Sequence, residues 1–502
     1  MRTSHPCDGC ALRRVRCAGG QPCLECSHRL TSCTFLRVRR KRGPKGPRPG
    51  TSLKIEQFQK ILQEGGSQQP VRTQPADSVL QQGSESPAAL QSICIPIAVY
   101  ERFLQIFRQR LYSVWPIVSY DDLVGRLRNN RDDYESYSLA AALCSAVIAQ
   151  LRLPEHVGPL DYSVSSFKLA AESQRLRRLF DYQEHFTIAS LLTSFFLHIY
   201  FANAEKLRTA GFFLRESLTY AHGLKLHQTE SYAGLSYRDK QLRLRVYWIL
   251  FVSERTYCIQ NDLPITLRPI NDLPDANPKD GYDSAPMPAF VNLIRLFSFL
   301  DGDILGCTAS LSDAALQIRA KAKVSHLQHN LVQQDAGKDL DESQRVDLLT
   351  TRNWIRILLW QFTIAHFSVS CRAQDQAFSA LLPATIAQDM LLVLDKVAWK
   401  SVQPHGYGME LKIFRMADSL LDVLLCAPAS VGPRKLLRDS RESLHCLEKV
   451  LLHVGGPESQ FLAILRKRML ESQLPPQQTM WNDMKISSSQ YQEEEEEAIS
   501  PS

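Results

Sequence analysis

The chain has 502 residues, of which 44% are hydrophobic and 22% charged, ordinary values for a folded soluble protein with room for two or more domains. Its formal net charge of +7 is unevenly placed, since residues 1–50 hold 12 Lys/Arg against the two acids Asp8 and Glu25, while the rest holds 47 bases and 50 acids. A basic head on a near-neutral body points to a polyanionic partner for the head. The start, Met1 to Cys7, has no apolar core, and no export signal is visible in it. The most apolar stretch, Phe186 to Phe201, is interrupted by Thr187, Ser190, Thr193, Ser194 and His198, and falls short of the ~20 apolar residues of a membrane span.

The first element is a cysteine repeat. Pro6-Cys7-x2-Cys10-x6-Cys17 recurs as Pro22-Cys23-x2-Cys26-x6-Cys33, so six of the 13 cysteines fall within 27 residues. In a reducing compartment a cluster this dense suggests metal rather than disulfides. The other seven (Cys94, Cys144, Cys258, Cys307, Cys371, Cys426 and Cys446) stand singly and read as small buried apolar residues. Structural zinc takes four ligands, so one ion per half needs eight coordination places from six sulfurs, and the count closes only if two cysteines bridge in a binuclear cluster or ligands come from elsewhere. A single ribbon through Cys7, Cys10, Cys23 and Cys26 would leave Cys17 and Cys33 idle, and His5 and His28 do not occupy equivalent places in the repeat. The string Pro22-Cys23-Leu24-Glu25-Cys26 matches half of a zinc-deaminase signature, but no His-x-Glu precedes it. An all-thiolate shell leaves no open position for a substrate water. The role of the metal is therefore folding, because Leu12, Val15, Leu24, Leu30 and Phe35 are too few to form a core.

Between Cys10 and Cys17 runs Ala11-Leu12-Arg13-Arg14-Val15-Arg16, whereas the matching Ser27–Ser32 holds only His28 and Arg29. A short helix after each Cys-x2-Cys would aim the first half, with its three arginines, at nucleic acid. Arginine reads guanine O6 and N7 in the major groove. These features resemble the fungal zinc binuclear cluster family of transcription factors: the Cys-Asp-x-Cys opening, the basic run before the third cysteine and the proline before the fourth. The resemblance implies two zinc ions per chain held by Cys7, Cys10, Cys17, Cys23, Cys26 and Cys33, with Cys7 and Cys23 as the bridging thiolates. It also implies Arg13 and Arg14 over a CGG-type triplet and Arg16 on a phosphate. One departure is Ala11, where the family often has a basic residue on a phosphate.

Next comes Arg37-Val38-Arg39-Arg40-Lys41-Arg42-Gly43-Pro44-Lys45, part of a Pro/Gly-broken strap with seven positive charges over residues 37–50. It suits phosphate contact by Arg37, Arg39, Arg40, Lys41 and Arg42 and doubles as a nuclear import signal. The Lys-Arg-Gly-Pro-Lys string resembles a fungal subgroup that includes maltose- and amylase-gene activators. Residues 51–64 place Ile55, Phe58 and Leu62 at heptad-like spacing, a candidate short dimerisation helix that offers fewer than two heptads. Residues 65–94 are a polar spacer with few large apolar residues.

From 95 to 471 the periodicity is helical, with Phe103, Ile106, Phe107, Leu111 and Val114 on one stripe. Further helices are expected at Ser165–Leu179, Phe186–Phe201, Leu207–Leu226, Tyr237–Gln260, Met287–Leu305, Thr350–Ser370, Ala387–Val397, Met409–Leu425, Lys435–His453 and Pro457–Leu470. Two stretches resemble the fungal-specific regulatory domain that accompanies such clusters: Ala221-His222-Gly223-Leu224-Lys225-Leu226-His227, and Arg243 to Trp248 with Arg255 and Asn271-Asp272-Leu273-Pro274. Trp248 and Phe251 read as core, and His198 and His227 as packed or surface histidines. No phosphate loop, nucleophile elbow or His-Glu metal motif is present. The tail, 472–502, carries Trp481, Asp483 and Tyr491 before the run Glu493–Glu497, a candidate coactivator-binding segment.

The expected protein is mainly α: a cluster domain (1–36), a basic linker (37–50), a pairing segment, a spacer, an all-α regulatory domain and an acidic tail. It is expected in the nucleus, bound to double-stranded DNA and not to membrane, regulating RNA polymerase II genes with activation favoured; a second copy of the chain and coactivators are candidate partners. Two rivals are a zinc-headed protein–protein adaptor and an enzyme in the helical domain that uses the head for localisation.

Overall fold

The structure is a computed structural model that describes residues 6–35, 95–154, 164–279, 284–300, 314–333, 339–426 and 434–472. The basic strap, the candidate pairing helix, the spacer and the tail from residue 473 lie outside the described residues. By its internal contacts the chain divides into two units, Met1–Leu90 and Gln91–Ser502. The first holds two one-turn helices, α1 (Asp8–Leu12) and α2 (Leu24–His28).

The second unit is helical throughout, with no strand longer than an isolated bridge among the described residues. Its first part runs through α3 (Ile97–Ile106, continued by a π-helical turn to Leu111), α4 (Tyr120–Asn129), α5 (Tyr134–Leu151), α6 (Ser166–Arg177), α7 (Ile188–Asn203), α8 (Leu207–Gly223) and α9 (Tyr237–Asn261). Its second part comprises α10 (Met287–Ser298), α11 (Ala314–Gln333), α12 (Glu342–His366), α13 (Leu382–Leu394), α14 (Trp399–Val402), α15 (Gly406–Cys426), α16 (Arg434–Gly455) and α17 (Gln460–Glu471). Side-chain oxygens cap many starts: Ser119, Asp133, Ser165, Thr187, Ser236, Asp341 and Ser459 each accept a backbone N–H from the first turn.

Helix α5 lies between α6 and α7, and α7 packs in turn on α8; in the second part α15 is surrounded by α12, α13 and α16. One apolar core runs through both parts. A polar relay joins them where α15 begins. Gln150 donates to the Pro404 carbonyl (2.9 Å) and accepts from Asn203 (2.8 Å), whose side-chain oxygen receives the Tyr407 N–H (3.3 Å).

The structure adds α4, α5, α11 and the short α14 to the helices expected, and starts α12 at Glu342 rather than Thr350. Helix α5 shows why. From Ser136 to Leu151 every residue but Ala149 is buried, so the segment is apolar or small on all sides and carries no amphipathic stripe to detect. Helix α10 ends at Ser298, short of Leu305.

The two stretches that resemble the regulatory domain acquire physical reasons. At the end of α8, Leu226 N–H reaches the Ala221 carbonyl (3.0 Å) and Lys225 takes φ +56°, a left-handed cap that turns buried Leu226 inward. Gly223 lies against Phe186, whose ring carbon sits 1.9 Å from where a Cβ would be, so a larger residue would have to displace the ring. After α9 the chain doubles back as a strap held by side chains of that helix. Glu254, fully buried, accepts from Thr266 N–H (2.8 Å), Thr266 Oγ1 (2.6 Å), Leu267 N–H (2.8 Å) and Arg215 (2.9 Å). Further along, Trp248 Nε1 donates to the Asp272 carbonyl (2.9 Å), and Asp275 N–H donates to Gln241 (2.9 Å). Glu254→Ala leaves the buried Leu267 N–H without its acceptor and removes one partner each from the exposed Thr266 and from Arg215, which keeps the Pro264 carbonyl (2.6 Å). It is expected to cost about 1–3 kcal/mol in urea denaturation of the full chain; a change within error would show that the strap does not depend on this carboxylate.

Candidate metal centre

The six repeat cysteines converge because each half folds the same way. The Cys7 sulfur caps α1 by accepting the Cys10 N–H (3.4 Å), and the Cys23 N–H donates to the Cys33 sulfur (3.3 Å). Asp8 closes the unit: its N–H donates to the Thr34 carbonyl (2.8 Å) and its buried carboxylate accepts from Thr34 Oγ1 (2.9 Å). The aspartate of the Cys-Asp-x-Cys opening is thus a latch between the two ends of the fold.

Two groups of four sulfurs result, each with all its atoms within 4.8 Å of one another: Cys7, Cys10, Cys17 and Cys23, and Cys7, Cys23, Cys26 and Cys33. Cys7 and Cys23 belong to both. The sulfurs of Cys7 and Cys23 are 3.6 Å apart, those of Cys7 and Cys26 3.5 Å, and those of Cys10 and Cys23 3.6 Å. A regular tetrahedron of thiolates on zinc has edges of about 3.8 Å, whereas a disulfide would bring sulfurs to about 2.05 Å. Burial pushes the Cys7 thiol up and the Cys10 thiol up to about 12. Six sulfurs this close cannot all ionise without a compensating cation, and two zinc dications meet that demand. The donor set fits the metal, and a binuclear cluster is what six sulfurs in two overlapping tetrads can hold.

Both helices end in the same left-handed turn. In the first half Val15 N–H bonds the Cys10 carbonyl (3.1 Å) and Arg14 has φ +56°; in the second, Thr31 N–H bonds the Cys26 carbonyl (3.1 Å) and Leu30 has φ +52°. Positions 14 and 30 are therefore equivalents, one an arginine and the other a leucine 92% exposed. Arg14 and Arg16 are exposed and no acid among the described residues pairs with them. Arg13 is exposed too, but its guanidinium is engaged: Nε donates to the Gly9 carbonyl (3.0 Å), and a terminal nitrogen to the Cys26 sulfur (3.5 Å) and Thr31 Oγ1 (3.4 Å). Arg29, the cation of the second half, is paired with Glu25 at 3.0 Å, which leaves the positive face on the first half. The sequence showed the basic run but not this division of it; the signal lay in aligning the two halves, which sets Arg14 against Leu30.

Elsewhere the polar groups pack. His198 is buried, its ring nitrogen at 3.0 Å from the Ala210 carbonyl, and burial pushes it down to about 4. His227 is exposed beside His222. Trp248 and Phe251 are core residues. Of the single cysteines, Cys144, Cys258 and Cys446 are buried, Cys371 is half-buried, and Cys426, at the end of α15, is exposed, contrary to the buried role expected of it; Cys94 and Cys307 lie outside the described residues. Ser343, His405 and Asp347 adjoin one another, but His405 Nε2 stands 3.1 Å from the Ser343 carbonyl as well as from its hydroxyl, and Asp347 is held by Lys412 (2.9 Å). Burial alone would raise the Asp347 carboxyl, yet Lys412 and His405 together hold it below its usual range. The arrangement is a satisfied polar network, not a nucleophile with a free base. No helix of the described residues is long and apolar enough to cross a membrane.

Compared with known families, residues 5–43 match the fungal Zn(2)-Cys(6) binuclear cluster domain. The chain is 26% identical over 433 residues to the maltose fermentation regulatory protein MAL13 of Saccharomyces cerevisiae, covering 83% of each chain. It is 24% identical over 432 residues to the probable sucrose utilization protein SUC1 of Candida albicans, covering 84% of this chain and 79% of that one. The likeness to the respiratory transcription factor ZNF1 of Saccharomyces cerevisiae is 24% over 429 residues, 84% of this chain and 85% of the relative.

Proposed function

The chain carries an N-terminal fungal Zn(2)-Cys(6) binuclear cluster domain and is a DNA-binding transcription regulator holding two zinc ions, akin to the maltose-activator-like subgroup, and we propose that it reads CGG-type triplets in the major groove through Arg14. The observation that carries this reading is the pair of sulfur tetrads sharing Cys7 and Cys23, beside which the left-handed turn at Arg14 leaves Arg14 and Arg16 exposed. Cys7, Cys10, Cys17, Cys23, Cys26 and Cys33 are the zinc ligands in this reading. Arg14 donates two hydrogen bonds to one guanine. Arg16 and the strap of Arg37, Arg39, Arg40, Lys41 and Arg42 neutralise phosphates, which position the domain without specifying sequence.

The same strap serves nuclear import, and the chain works in the nucleus on RNA polymerase II promoters. Residues 51–64 pair two copies into a homodimer, and the acidic tail recruits coactivators. The target genes belong to sugar utilisation, a reading supported by the names of the maltose and sucrose relatives. Neither an enzyme nor an adaptor is favoured by the relatives, which are named as regulators. The test is selection of bound sequences from a random duplex pool with the zinc-loaded full chain. Enrichment of a CGG-type triplet is the expected result; a pool that stays random would end the proposal.

A basic residue at position 11 adds a phosphate contact that this chain lacks. Ala11→Arg is expected to steepen the dependence of log affinity on log salt by about one unit, measured by fluorescence anisotropy across a salt series. An unchanged slope would mean that position 11 does not face a phosphate.

A further inference from the structure

We propose that Arg13 is a positioning residue of the zinc cluster, clamping the Cys26 thiolate, and that Arg14 alone carries base recognition within the basic run. The guanidinium reaches from the first half into the second: Gly9 carbonyl at 3.0 Å, Cys26 sulfur at 3.5 Å and Thr31 Oγ1 at 3.4 Å. Two zinc dications and six thiolates leave an excess of negative charge on the cluster, and a cation donating to a ligand sulfur offsets part of it. Outer partners of this kind orient metal ligands and set how firmly the metal is held.

The packing around the guanidinium is built for it. A Cβ at Gly9 would stand 3.1 Å from the Arg13 terminal nitrogen and 3.4 Å from the Cys26 sulfur, so the glycine is what lets the two approach. Thr31, the third partner, is the residue whose N–H closes the cap of α2 at the Cys26 carbonyl. Arg13 therefore ties the last turn of α1 to the last turn of α2. The equivalent position in the other half, Arg29, makes a local pair with Glu25 and reaches no sulfur. The clamp runs one way only, from the half that carries the basic run. Arg14, next in sequence, is held by its left-handed backbone with its side chain exposed.

This division rests on the DNA-reading proposal for Arg14 but is tested apart from it. Full-length Arg13→Gln, Arg13→Lys and Gly9→Ala are compared with the native chain in three measurements: zinc release to a chromophoric chelator, the sulfur-to-metal charge-transfer absorption of the cobalt(II)-loaded protein, and preference for a selected over a scrambled duplex. Arg13→Gln is expected to release zinc about tenfold faster and to move the charge-transfer band to lower energy, because the thiolate loses its donor. Arg13→Lys keeps charge and donor and is expected to recover most of both, and Gly9→Ala to fall between. Duplex preference stays as in the native chain once zinc saturates the site. The proposal is overturned if cobalt spectrum and zinc release are unchanged in Arg13→Gln, or if Arg13→Lys holds zinc normally yet has lost duplex preference, which would make Arg13 a base reader. A native chain with no duplex preference would sink the DNA reading and leave the cobalt and release measurements to decide the clamp.

Discussion

Stripping zinc from the full chain with a strong chelator is expected to unfold residues 6–35 and abolish specific DNA binding, while the helices of the second unit remain. The reason is what fills the interior of the first unit. Among its described residues the only buried apolar side chains are Cys7, Cys10, Cys23 and Cys26, whereas Leu12, Val15, Leu24, Leu30 and Phe35 are all exposed. These residues provide no hydrocarbon core to hold the two halves once the metal leaves. Structural zinc supplies on the order of 10 kcal/mol or more per site, far beyond what the Asp8–Thr34 latch can provide. The second unit has its own extended apolar core and needs no metal to keep it. Limited trypsin digestion with and without chelator reads the difference directly, since Arg13, Arg14 and Arg16 become cleavable when the head unfolds. A head that stays resistant after zinc is gone would remove the basis of the functional reading. The shared ligands sharpen the test: Cys7→Ala removes a sulfur from both tetrads and is expected to lower zinc content by two ions, Cys10→Ala by one. Equal loss from both variants would argue against bridging.

The second large effect is expected at Arg14. Its φ of +56° is a conformation that glycine adopts freely and other residues hold at a cost of about 1–2 kcal/mol. Arg14→Gly relieves that strain while deleting the guanidinium. The zinc-loaded head is expected to become no less stable, and by up to about 1 kcal/mol more so. Discrimination between the selected triplet and a mismatched one falls by about 1–3 kcal/mol. Leu30→Gly is the matched control, because Leu30 holds the same turn in the other half at φ +52° and carries no charge: stability responds in the same direction and discrimination does not change. Competition binding with matched and mismatched duplexes, alongside thermal melts, checks both. Uniform weakening on every duplex in Arg14→Gly would assign Arg14 to a phosphate instead of a base.

Strain of this kind is retained where something else depends on it. The left-handed turn ends α1 after a single turn of helix and lets Val15 N–H reach back to the Cys10 carbonyl. A glycine would make that turn more cheaply but could read nothing. In the second half the strained residue is a leucine, which shows that the turn follows from the metal spacing rather than from the side chain placed on it.

Read alone, the residues determined the zinc head almost completely, because metal coordination is a counting problem: six thiols at matched intervals and four places per ion leave few arrangements. The same holds for the all-α class of the second unit, where stripes such as Phe103, Phe107 and Leu111 repeat at helical spacing. What only the tertiary structure decided is where burial or reach overrides local pattern. Helix α5 was invisible because it is buried on nearly all sides and has no polar face to set against an apolar one. The clasp of Glu254 on the strap, the fit of Gly223 under Phe186 and the turning of Arg13 toward Cys26 each join residues distant in the chain or hidden in an apparently uniform basic run. Spacing along a sequence specifies ligands and stripes; which of two adjacent arginines faces a sulfur and which faces outward depends on the position of atoms that the other half of the fold brings into range.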